Sequence, residues 1–323
     1  MTLKPVLQNS LVALVSLACA VAAGELAVRA FFKVQFGDQT EVTKAIFDPQ
    51  IKSKIYVPDP ELGFVPSHGW ENGFGRYGFK NGAEFEGRKA RKTLAVLGDS
   101  LVDHGWLAQA LQKSLNTRGD HVYYAGMGGY NTLQEAIYYE RFVTLRPDIL
   151  VLSFCLNDFS PSFFIVSNDE NGETYFQQNR FDPIATANPF LFRHSALYRL
   201  FKVATIRRSR LYTPEMIAEN TAMVRDGLTR LKTRASAQNT KLVAVIYPHF
   251  LDYGQNLWMS AAHARALELF RELEITYLDV TEPLTAEGLL KYRKDPEDFV
   301  HPNYEGHALA ASLLLERFPE IFD

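Results

Sequence analysis

Thr93-Leu94-Ala95-Val96-Leu97-Gly98-Asp99-Ser100 is the stretch that decides the fold. Its apolar run has the length of one strand and no polar alternation, as in a strand covered on both faces. It stops at a glycine and two polar residues, and Leu107, Leu111 and Leu115 then recur at helical spacing. The same unit returns along the chain. Val122-Tyr123-Tyr124 is followed by a glycine-rich turn and by the capping-box pattern Thr132-Leu133-Gln134-Glu135. Ile149-Leu150-Val151-Leu152 follows Pro147. A long helix then takes Thr213 as N-cap and Pro214 as its first residue, with Ile217, Thr221, Val224, Leu228 and Leu231 on one face. Leu242–Tyr247 and Thr276–Val280 are two more strands, separated by a helix over Ser260–Leu273, and a last helix runs from Tyr304 to Phe318. Buried strands alternating with amphipathic helices specify the α/β class with a parallel sheet. In such sheets ligands sit beyond the carboxyl ends of the strands, which brings Ser100, the Gly126 turn and Asn157 to one edge.

Outward from this core the chain changes character. Residues 1–33 read as a signal peptide or signal anchor: Lys4 precedes a charge-free apolar run from Leu11 to Ala23. Leu26, Val28, Phe31 and Phe32 continue the apolar character, and a helix would pair Glu25 with Arg29 at i,i+4. The expectation is an exported chain, held at the membrane facing the periplasm or exterior, or secreted if the leader is cleaved. Acylation at Cys19 is disfavoured, because Ser16-Leu17-Ala18-Cys19 lacks the large aliphatic residue usual three positions before a lipid-modified cysteine. Residues 34–92 form an irregular, β-rich linking region rich in Pro and Gly, ending in a basic stretch, Arg88–Lys92, read as a solvated turn. Residues 93–323 form the main domain. Within it, 159–212 is a lid-like insertion dense in aromatic residues, among them Phe163, Phe164, Tyr175, Phe176, Phe181, Phe190, Phe192, Tyr198 and Phe201. A net charge of -3 gives no footprint for nucleic acid, and two cysteines, Cys19 and Cys155, offer neither a disulfide framework nor metal-ligand spacing.

A serine hydroxyl becomes a useful nucleophile only with a base in reach, a group orienting that base, and donors for the developing oxyanion. Ser100 stands on the turn after a buried strand. His301 lies in Asp298-Phe299-Val300-His301-Pro302, where a three-residue separation lets the Asp298 carboxylate reach Nδ1 and aim Nε2 at the serine. The Gly126 N–H and the Asn157 side-chain amide complete the donors. Each signal is weak by itself; their joint order along the strands is improbable by chance.

With these blocks in place the chain resembles the SGNH (GDSL-type) hydrolase superfamily. Val96-Leu97-Gly98-Asp99-Ser100, Gly126-Met127-Gly128-Gly129-Tyr130-Asn131-Thr132, Cys155-Leu156-Asn157-Asp158 and Asp298–His301 match its first, second, third and fifth blocks. The resemblance implies a flavodoxin-like three-layer α/β/α sandwich with a five-stranded parallel sheet. It also implies a triad of Ser100, Asp298 and His301, an oxyanion hole of Ser100, Gly126 and Asn157, and no cofactor or metal. Tyr124 replaces the usual asparagine two residues before the second-block glycine, and Cys155 replaces the usual glycine of the third block. Cys155 is no alternative nucleophile, since a buried thiol without a basic neighbour stays protonated. His104 is the only other histidine close to Ser100 in sequence. The implied activity is ester hydrolysis on an extracytoplasmic substrate, an O-acylated carbohydrate or a lipid. Acyl transfer to an envelope polysaccharide and a non-catalytic envelope-binding role are the alternatives.

Overall fold

The computed structural model describes residues 3–35, 56–66, 75–160, 164–168, 174–178, 191, 195, 197–198, 214–250, 257–286, 291–295, 298 and 300–323. They fall into two compact units, Met1–Ser53 with Ser167–Arg210, and Lys54–Val166 with Leu211–Asp323. Phe163, Phe181, Phe190, Phe192, Phe201 and the N-cap Thr213 lie outside the described residues.

The first unit contains α1 (Leu3–Gln35). Its stretch Ser10–Ala30 is 21 residues long and apolar enough to cross a membrane. Leu11, Leu14 and Leu17 are more than 60% exposed among the described residues, whereas Val28 is buried. Glu25 and Arg29 form the expected i,i+4 pair at 2.8 Å. The same Glu25 also accepts hydrogen bonds from Ser195 Oγ (2.8 Å) and the Leu197 N–H (3.0 Å) of the insertion. The carboxylate thus has partners that make its place in an apolar helix tolerable.

The second unit is built on a sheet of five parallel strands: β3 (Thr93–Gly98), β4 (His121–Gly126), β5 (Ile149–Cys155), β8 (Lys241–Tyr247) and β9 (Thr276–Asp279). It is preceded by a hairpin of β1 (Tyr56–Asp59) and β2 (Gly63–Pro66). At the boundary of the units β6 (Phe164–Asn168) pairs with β7 (Thr174–Gln178), a strand of the first unit, as a separate two-stranded sheet. The order β4-β3-β5-β8-β9 is the flavodoxin-like one, so connections leave the first strand towards opposite sides and open a crevice beside β3. The helices of this unit are α2 (Ser100–Asp103), α3 (Trp106–Leu115), α4 (Thr132–Phe142), α5 (Pro214–Ala237), α6 (Leu257–Glu272), α7 (Thr281–Ala286), α8 (Tyr304–Arg317) and α9 (Pro319–Phe322).

The runs of apolar residues have the cause inferred for them. Leu94, Val96, Ile149, Val151, Val243 and Val245 share a core with Leu107 and Leu111 of α3 and Ala310 and Leu314 of α8. The alternate residues Ala95, Leu97, Leu150, Leu152, Ala244 and Ile246 are equally buried and point to the other face by the two-residue period of a strand. There α4 packs on α5 and α5 on α6.

Strand β4 is the sheet's edge, and side chains close it. Gln112 donates to the Asp120 carbonyl and accepts from the Val122 N–H, while Asn81 does the same for the Val122 carbonyl and the Tyr124 N–H. The Lys80 N–H then donates to the Tyr124 carbonyl. These contacts consume groups that would otherwise template a further strand.

One local expectation needs correction. The helix after β4 opens one residue earlier than read: Asn131 is its N-cap, and the capping box runs between Asn131 and Gln134. Asn and Ser/Thr compete for this role, and here the amide reaches the N3 N–H first. The basic stretch Arg88–Lys92 is largely exposed, as a solvated turn should be, and Arg91 in addition clamps the buried Asp120 through two contacts of 2.8 Å. A planar guanidinium fits that fork where a lysine would not.

Candidate active site

Parallel pairing in register places Gly98 beside Gly126 and Ser153, so β3 and β4 end together while β5 runs two residues further, to Cys155. Ser100 follows β3 as the first residue of α2, Gly126 closes β4, and Asn157 lies in the 3-10 turn Leu156–Phe159 after β5. A Cβ on Gly126 would lie 2.4 Å from the Asp103 nitrogen and 2.5 Å from the Val102 carbonyl carbon. Only a glycine lets the second-block turn come this close to the helix that carries Ser100.

The loop before α8 brings in the other two groups. Residues 291–295 run against it through the bridge Arg293–Pro302, and the Lys294 N–H donates to the His301 carbonyl. Asp298 Oδ1 accepts the N–H groups of Val300 and His301. The His301 ring meets Asp298 through Nδ1 at 2.8 Å and Ser100 Oγ through Nε2 at 2.8 Å. Burial pushes the Asp298 carboxyl up, but the His301 ring and the two backbone donors outweigh it and hold it down at about 2. An ionised Asp298 accepts from Nδ1–H and leaves Nε2 as an acceptor facing the serine.

Asp99 is the hub beneath this chain. It is fully buried, and Oδ1 accepts the Leu101 N–H while Oδ2 lies 3.3 Å from Ser100 Oγ and 3.4 Å from Asn157 Nδ2. The Ser100 hydroxyl has one proton and two acceptors in reach; the 2.8 Å contact with His301 is the shorter and stronger. Asn157 is tethered to the same carboxylate oxygen, with a second N–H still to donate.

The structure therefore brings Ser100, Asp298 and His301 into one hydrogen-bonded chain, and sets Gly126 and Asn157 at the same edge. His104 is not part of it. Its ring is stacked on Trp106 and accepts from the Lys294 ammonium at 2.9 Å. His249 and His307 are buried and depressed to about 4 and about 3, by burial first and the nearby His301 second, so both stay neutral. Cys155 is buried with its sulfur 3.7 Å from His249, and burial drives the thiol well above its ordinary range. Among the described residues no group of three or more His, Cys, Asp or Glu is arranged to hold a metal ion.

Comparison with known families supplies the deciding observation: residues 96–309 match the model of the GDSL-like Lipase/Acylhydrolase family. The chain belongs to that family. It is an ester-bond hydrolase by kind, with the flavodoxin-like sandwich described above. No curated protein matches this acylhydrolase. Solved structures similar to it include an alpha/beta hydrolase from the metagenome of Lake Arreo, Spain (15% identity, TM-score 0.45, 70% of this chain and 94% of that one). Others are a lipase/acylhydrolase from Enterococcus faecalis (13%, 0.44, 70% and 95%) and an acetylxylan esterase from Geobacillus stearothermophilus (13%, 0.45, 70% and 94%). At such identities and scores the likeness carries no substrate over to this chain.

Two acidic residues near the site were not singled out in the sequence. Asp158 accepts from Thr132 Oγ1 at 2.8 Å but leaves Oδ1 without a partner, and both oxygens of Glu135 have none among the described residues. Burial, then the neighbouring Asp158 and Asp99, raise the Glu135 carboxyl well above its usual range. A raised folded value means that the folded state holds a proton the unfolded chain has released. Its contribution is complete below the unfolded value and is lost as pH rises towards the folded one. Glu135→Gln is therefore expected to gain stability relative to wild type as pH is raised above about 4.3, by at most about 1.4 kcal/mol per pH unit. Urea unfolding of both proteins at acid and neutral pH checks this. A constant difference across that range would mean that Glu135 is ionised in the folded enzyme.

Proposed function

We propose that this acylhydrolase cleaves its ester through a covalent acyl-enzyme formed on Ser100. The observation that carries the reading is the unbroken run from Ser100 Oγ through His301 to Asp298, each contact at 2.8 Å. His301 Nε2 takes the hydroxyl proton as Oγ attacks the ester carbonyl. The Ser100 N–H, the Gly126 N–H and the Asn157 amide hold the oxyanion, and His301 returns the proton to the leaving alcohol. Water then repeats the sequence on the acyl-enzyme and releases the acid. Asp298 keeps the imidazole in the tautomer this exchange needs and balances its transient charge. Hydrolysis of 4-nitrophenyl acetate, lost in Ser100→Ala, tests the assignment.

The substrate side is extracytoplasmic in this reading, an acylated carbohydrate or a lipid. What supports it is α1, whose apolar stretch is long enough to span a bilayer, with Lys4 before it. Fractionation of a tagged full-length chain is expected to leave it with the membrane, with the second unit cut by protease added to spheroplasts. Full-length protein in the soluble cytosolic fraction would remove this part of the proposal and leave the chemistry untouched.

A further inference from the structure

Asp103 closes the short helix that Ser100 opens, and the proposed reaction does not use its side chain. Its Oδ1 pairs with the ammonium of Lys80, whose side chain is only 7% exposed, whereas that of Asp103 is 35% exposed. Among the described residues Oδ2 has no partner. The place it faces is marked by Gly128. A Cβ on that glycine would lie 3.8 Å from the Ser100 Cβ and 3.9 Å from Asp103 Oδ2. The bare backbone of Gly128 is thus a floor with the nucleophile's Cβ and a carboxylate oxygen both within 4 Å of where its side chain would begin.

The chemistry of that floor selects what can lie on it. An alkyl chain there would strip water from a carboxylate oxygen and give nothing back. An anionic group would meet like charge at short range. A hydroxyl replaces the lost water with a charge-assisted hydrogen bond, and Lys80 fixes the acceptor in advance. We infer that Asp103 is a specificity-determining residue, accepting through Oδ2 a hydrogen bond from a hydroxyl that the substrate carries next to the scissile ester. The substrate class is then a hydroxylated ester, of a polyol or sugar kind, rather than a purely alkyl one. The inference rests on Ser100 being the nucleophile, as proposed above.

Matched esters test it on the full-length enzyme: propyl acetate against glyceryl monoacetate for the alcohol half, and ethyl acetate against ethyl glycolate for the acyl half. Wild type is expected to prefer the hydroxylated member of at least one pair. Asp103→Asn keeps the side chain's shape and should lower kcat/KM on that member roughly tenfold, mainly through KM, while its alkyl counterpart changes less than about twofold. Because Asp103→Asn also alters the ion pair with Lys80, a Lys80→Met, Asp103→Leu double variant removes that pair as a unit and should lose the same preference. Equal losses on both members of each pair, or no preference in wild type, would overturn the inference. A wild type that cleaves none of the four esters and resists a fluorophosphonate at Ser100 would instead overturn the hydrolase mechanism on which it rests.

Discussion

Ser100→Ala is expected to lower kcat by roughly 10⁴- to 10⁶-fold, and His301→Ala by nearly as much. The two groups lie 2.8 Å apart and, in the proposed mechanism, act on one proton, so neither would function without the other. Losses in such a unit do not multiply: the double variant should be little slower than either single one. Steady-state kinetics of the three variants on one activated ester make the comparison. Losses that multiply would mean that the residues act independently, which their shared hydrogen bond does not allow. Folding should be unaffected in Ser100→Ala, because the side chain is only partly buried and its two contacts are to groups with other partners.

Asn157→Ala is expected to cost about 10²–10³ in kcat, or roughly 2.7–4 kcal/mol of transition-state stabilisation. The amide's tie to Asp99 is long, at 3.4 Å, and Asn157 Oδ1 is buried without a partner. A side chain held this loosely in the resting enzyme contributes little to ground-state stability, and in the proposed mechanism it serves instead through a bond made to the oxyanion. The selective effect therefore falls on kcat, with KM and melting temperature little changed. If Asn157 served only the turn after β5, the variant would unfold more readily and turn over at nearly the wild-type rate. Measuring kcat, KM and Tm on one preparation separates the two roles.

The parts of this molecule legible in its sequence are those set by local pattern. The five strands declare themselves because burial on both faces leaves no polar residue in Leu94–Leu97 or Ile149–Leu152. Their ends were less clear: β4 takes in His121 and Gly126, and β5 continues through Ser153, residues whose types do not favour strands but whose neighbours hold them in register. Ser100, Asp298, His301, Gly126 and Asn157 could be named because each stands at a fixed place relative to a strand or helix. What the sequence could not show is the desolvated layer beneath them. Asp99 looks like a loop residue, and its complete burial comes from strands and turns distant in the chain. Glu135 gave a signal that went unused: Tyr138 and Tyr139, three and four residues on, mark the buried face of α4, and Glu135 lies on it. The Lys80–Asp103 pair joins segments 23 residues apart through tertiary packing alone, which no periodicity records.

Labelling with a fluorophosphonate, followed by mass spectrometry of the digested protein, is the most direct test of Ser100 as the activated nucleophile. The reagent phosphonylates a serine, with loss of fluoride, only when a neighbouring base draws off its proton, so it reads the Ser100–His301 contact independently of the unknown natural ester. The adduct is expected on the peptide containing Ser100, to be absent from Ser100→Ala, and to form far more slowly in His301→Ala. An adduct on another residue, or equal labelling of the Ser100→Ala protein, would contradict Ser100 as the nucleophile.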